Sequence, residues 1–160
     1  MVALAALLSL AACGFEPLYG SQEDGGETTA QMAEVRIAPL PDRIGQSMHN
    51  LLRDRINPRG QPAKAGYLLN VKLTEAVQAT ALRADETATR ANLTVYADYE
   101  LRDSDGKAVL AHGRISSTDS YDILESYYAT IVSQEDARER ALRELSDTIR
   151  NRLALYFSGA

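Results

Sequence analysis

The stretch "ATRANLTVYADYELRD", Ala88–Asp103, alternates along most of its length. Leu93, Val95, Ala97, Tyr99 and Leu101 fall on one side, and Asn92, Thr94, Tyr96, Asp98 and Glu100 on the other. A period of two is the signature of a strand with one buried face. The polar side can meet water or the polar interior of a partner. "DSDG" at 103–106 follows, and its Asp-Gly step predicts a turn. "KAVLAHGRISST" (107–118) then reads as the returning strand. Upstream, "YLLNVKLTEAVQA" (67–79) sets Leu69, Val71 and Leu73 against Asn70, Lys72 and Thr74, so it too is a strand with one apolar side.

Outside these strands lie one more strand and two helices. "AEVRIAPLP" (33–41) alternates Val35 and Ile37 with Glu34, Arg36 and Ala38, and Pro39 and Pro41 stop it. In "DRIGQSMHNLLRDRINPRG" (42–60), Ile44, Met48, Leu51, Leu52 and Ile56 share one helical face. Asp42 is the expected N-cap, and Asn57-Pro58 and Gly60 end the helix. "SQEDARERALRELSDTIRNRLALYF" (133–157) is the second helix. Its stripe is Ala137, Ala141, Leu145, Ile149, Leu153 and Tyr156, and Ser133 with Asp136 resembles a capping box. Asp136–Arg140 and Glu139–Arg143 are spaced as supporting ion pairs, and acids early with arginines late suit the helix dipole. Residues 119–132 show no clean period yet carry Tyr121, Ile123, Leu124, Tyr127, Tyr128 and Ile131, which predicts a functional loop or a short helix. The order β-α-β-β-β-α predicts an α+β fold: a two-layer sandwich, two helices packed on one face of a mainly antiparallel four-stranded sheet.

Length and composition narrow the function. A chain of 160 residues holds one domain with a real core. A net charge of -5 argues against nucleic acid as the main partner, because phosphate neutralisation needs a dense basic face. His49 and His112 each lack a second ligand at metal spacing on their own elements, so no metal is expected. No Walker, G-x-S-x-G or G-x-G-x-x-G motif occurs, and the carboxylates fall on solvent faces. The sequence thus predicts a binding or assembly protein with no catalytic residues and no cofactor.

The N-terminal stretch adds an anchor. "LLSLAACGFEPLYG" (7–20) breaks an apolar run at Cys13, the single cysteine, which leaves no internal disulfide to form. Residues 1–12 are too short to span a bilayer and match the apolar part of a signal peptide, although the first cation of the chain is Arg36. Leu10-Ala11-Ala12-Cys13 resembles a lipobox: small side chains beside the scissile bond, then a thiol to carry diacylglycerol. Residues 13–33 are then expected to be a lipidated tether, with the polar, Gly-rich segment 21–31 as a flexible linker, and residues 34–160 the folded domain.

"CGFEPLYG" after a lipobox resembles the start of lipopolysaccharide (LPS)-assembly lipoproteins of the LptE family, particularly the alphaproteobacterial form. The resemblance runs on through "IGQSMHNLLR" (44–53), "YLLNVKL" (67–73), "ATRANLTVYADYEL" (88–101) and "SYDILESYYA" (120–129). It implies no enzyme. It implies an outer-membrane, periplasm-facing lipoprotein that plugs the lumen of an LptD-type β-barrel, helps assemble it, and meets lipopolysaccharide. It also implies an LPS contact at Arg83, with Arg90 its nearest basic neighbour, since arginine can hold a lipid A phosphate bidentately. A second basic residue of better-known members has no counterpart at Thr130-Ile131-Val132. Exposed aromatics predict barrel contact at Tyr96, Tyr127 and Tyr128. The competing reading is a lipid-anchored periplasmic adaptor for another envelope machine, with a lipid-anchored hydrolase third.

Overall fold

The computed structural model describes residues 23–82 and 88–159. In chain order the elements are α1 (Glu23–Ala33), β1 (Val35–Ile37), α2 (Asp42–Ile56), β2 (Tyr67–Leu82), β3 (Ala88–Asp103), β4 (Val109–Asp122) and α3 (Tyr127–Phe157). The sheet runs β1-β2-β3-β4. β1 is parallel to β2, because α2 carries the chain back between them, and the remaining pairs are antiparallel. This is the expected α+β sandwich with a mainly antiparallel sheet.

The alternation in β3 translates directly into burial. Leu93, Val95, Ala97 and Leu101 are fully buried and Tyr99 nearly so. They meet Met48, Leu52 and Ile56 of α2 and Ala141, Leu142, Leu145, Ile149 and Leu153 of α3 in one core. Each large aliphatic side chain buried this way stabilises the fold by about 1.5–3 kcal/mol relative to exposure. α2 and α3 run side by side in the same direction. Arg43 at the start of α2 pairs with Glu135 of α3 at 3.3 Å, and Arg55 at the end of α2 pairs with Asp147 further along α3 at 2.5 Å.

Four local expectations give way. Residues 23–33, most of them in the segment 21–31 expected as a flexible linker and all within the expected tether 13–33, form α1, because Met32 and Thr28 are buried where α1 packs on α3. α3 starts at Tyr127 instead of Ser133: β4 extends to Asp122, and Ser126 takes the N-cap, accepting from the Ala129 N–H at 3.4 Å. Asp42 does not cap α2; Pro41 holds that position and Asp42 opens the helix at φ 65°. Arg140 reaches across to Asp119 at 3.0 Å instead of bonding Asp136, whereas Glu139–Arg143 forms at 3.6 Å.

Candidate functional site: an open polar sheet face and an aromatic end

The helices cover only the odd-numbered side of β3. On the other side the strand registers align Asn70, Lys72, Thr74 and Gln78 of β2, Asn92, Thr94, Tyr96, Asp98 and Glu100 of β3, and His112, Arg114, Ser116, Thr118 and Ser120 of β4. β3 sits at the centre of this face, and its polar residues there are half-buried by their neighbours.

These side chains brace one another. The hydroxyls of Thr94 and Thr118 lie 2.9 Å apart, and Ser120 donates to Asn92 Oδ1 at 2.8 Å. Nearer the far end of the strands the face becomes charged. Arg114 lies 3.6 Å from Asp98 and stacks over the Tyr96 ring, its guanidinium carbon 4.8 Å from the ring centre. Arg102 donates to Glu100 at 2.7 Å. A guanidinium held over an aromatic ring at this distance gains a cation–π attraction.

One end of the molecule exposes several large apolar side chains. Ile123 N–H bonds Thr89 O at 3.0 Å, which brings the end of β4 beside the start of β3. The chain turns there and enters α3. Thr130 Oγ1 fastens the turn, accepting from Leu124 N–H at 2.9 Å and donating to Leu124 O at 3.1 Å. Tyr127 and Tyr128 stand 80% and 76% exposed, with Leu124, Ile131 and Val132 also exposed. Several large apolar side chains in one exposed segment are the composition of an interface.

Of the expected contact residues, Tyr127, Tyr128 and Arg90 share this end, while Tyr96 lies mid-face. Arg90 bonds Asp122 at 3.0 Å. Arg83 and Cys13 lie outside the described residues. The Arg114–Tyr96 contact was not anticipated, because it depends on the β3–β4 register, which sets Arg114 opposite Asp98 and next to Tyr96 on the same face. Among the described residues, no group of His, Cys, Asp and Glu is arranged to hold a metal ion.

Fold and surface together define a small two-layer domain with a broad, open polar sheet face. The chain belongs to the LptE family, lipopolysaccharide-assembly, whose model matches residues 31–153. An uncharacterized protein of Rickettsia prowazekii (strain Madrid E) is 24% identical over 157 residues, covering 98% of this chain and 95% of that protein. A crystal structure of a candidate lipoprotein from Caulobacter crescentus CB15 is similar at TM-score 0.71 and 26% identity, covering 86% of this chain and 99% of that one. The rare lipoprotein B of Shewanella oneidensis shares the fold at TM-score 0.55 and 10% identity, covering 75% and 91% of the two chains.

Proposed function

We propose that this protein is a lipid-anchored, outer-membrane lipoprotein that plugs an LptD-type β-barrel, helps it assemble, and assists insertion of lipopolysaccharide into the outer leaflet. Its role is binding, not catalysis. The observation that carries the reading is the open sheet face: three strands wide, polar along its length, internally braced, and bare of helix. The interior of a large outer-membrane barrel is itself polar, so such a face suits a lumen better than it suits an apolar groove. The exposed Tyr127 and Tyr128 supply rigid anchors at one end of that face. The lipoprotein neighbours and the Leu10-Ala11-Ala12-Cys13 sequence support the anchor.

Photo-crosslinking side chains introduced at Tyr96, Tyr127 and Tyr128 in cells test the plug. All three should capture one large outer-membrane barrel. Capture of soluble periplasmic proteins alone would favour the adaptor reading.

A further inference from the structure

β2 has sixteen residues, and β1 pairs with only three of them, Tyr67, Leu68 and Leu69. The chain then leaves the sheet at Pro39 and Pro41. The backbone bonds fix which groups point to that side. Tyr67 N–H bonds Glu34 O at 3.3 Å, and Leu69 O accepts from Ala38 N–H at 2.9 Å. Odd residues of β2 therefore point their backbone groups away from β3. Beyond Leu69, the N–H and C=O groups of Val71, Leu73, Glu75, Val77 and Ala79 face outward, with no backbone partner on that side among the described residues.

Edges are usually guarded by charge, proline or a covering element. This one is weakly guarded. From Val71 to Ala79 the charges are Lys72 and Glu75, and the Glu75 carboxylate is turned aside onto Arg138 at 2.6 Å, so from Leu73 to Ala79 no free charge stands on the edge. Val77 is 52% exposed, and Thr74, Ala76, Gln78 and Ala79 are exposed too. A register shift after Ala79 closes the open stretch. The opposite edge differs: on β4 Arg114 and His112 stand beside it, and Arg140 donates to Ser120 O at 3.3 Å.

We propose that this edge of β2 receives a fifth strand, an extended segment of the barrel partner that continues the row β1 begins. The proposal rests on the plug reading. Strand addition draws its affinity from main-chain bonds and its selectivity from alternate side chains. The incoming segment carries an apolar residue against Val77 on the helix side and small polar residues level with Thr74 and Gln78 on the open side. An acidic residue meets Lys72, which makes no ion pair among the described residues because Asp98, its register partner, pairs with Arg114.

The parity of the edge supplies the test. Val77→Pro removes an outward N–H and leaves the β2–β3 ladder intact, as edge strands tolerate. Val77→Lys adds a guarding charge at an exposed site and covers the case in which the proline variant fails to fold. Each full-length variant is co-expressed with the LptD-type barrel, and barrel retained on the tagged lipoprotein is measured beside melting curves. Both should melt near the wild type and retain about tenfold less barrel. Wild-type retention by folded Val77→Lys, and by Val77→Pro if it folds, overturns strand addition and leaves the plug reading standing. If the wild type retains no barrel, the plug reading falls and takes this proposal with it. If the wild type is a dimer without barrel and the variants are monomers, the edge belongs to a second copy and the proposal is overturned.

Discussion

Arg138 ties its own helix α3 to β2 and, through Glu135, to α2. Its Nε and Nη2 donate to the two Glu75 oxygens of β2 at 2.6 and 3.3 Å, and its Nη1 donates to Glu135, which also takes Arg43 of α2. The Glu75 hydrogen bond raises the Arg138 pKa above its ordinary value, against the opposing pull of burial. A raised folded pKa gives stability that is complete below the unfolded value and lost only as pH climbs through the raised one. The Arg138 end of this chain is therefore constant throughout the neutral range. Arg83 is a different kind of residue, a proposed ligand contact at the β2–β3 connection, with Arg90 as weaker helper. Arg90 pairs with Asp122 at 3.0 Å, so less of its charge is open to a ligand. Purified Arg83→Ala should bind lipopolysaccharide about ten- to a hundred-fold more weakly, as for a lost charge-assisted contact, and Arg83→Glu more weakly still. Melting curves should be almost unchanged, and the loss should shrink at high salt. Wild-type binding by both variants would assign the contact to other residues or to the barrel.

At the scale of elements, β3 was legible because every second residue obeys one rule: Leu93, Val95, Ala97, Tyr99 and Leu101 are all buried, and Ala91 continues the same row. β4 reads less cleanly, and Gly113 is the reason. It lies opposite Tyr99, and a Cβ there would come within 2.9 Å of the Tyr99 ring. The missing side chain makes room for the ring, so one inward position of β4 is filled from β3. Gly113→Val should cost about 1–3 kcal/mol, read as a lower melting temperature, because overpacking forces the ring or the strand aside. A Gly113 variant melting like the wild type would show that the ring can move freely. α1 was illegible for a physical reason: "EDGGETTAQMA" has little intrinsic helix strength, and packing of Met32 and Thr28 holds it. The early start of α3 was hidden because Tyr127, Tyr128, Ile131 and Val132 are apolar yet exposed, which erases the period. The polar sheet face was readable from alternation; its charged stack and the bare edge of β2 depend on register and on where β1 stops, which no single strand records.

Across the whole molecule the two ends differ. α1, Asn57 and the C-terminal part of α3 gather at one, where Asn57 donates to Ala33 O at 3.4 Å and Tyr67 packs on Phe157 at 4.9 Å. The Tyr127–Tyr128 segment and the start of β3 form the other. The described chain therefore begins, with α1, at the first end. Labelling with a fatty-acid analogue should mark the wild type and spare Cys13→Ser, which should also leave the membrane fraction; equal labelling of both would remove the anchor. The separation of the ends has a consequence of scale. β2 and β3 are each sixteen residues long, about 50 Å at roughly 3.3 Å per residue. The hydrocarbon layer of a bilayer is about 30 Å thick. In the proposed plug, with these strands standing along the pore, a body of this reach would put its two ends in different compartments: the α1 end on the side of the proposed anchor, the tyrosine-bearing end on the far side of the membrane.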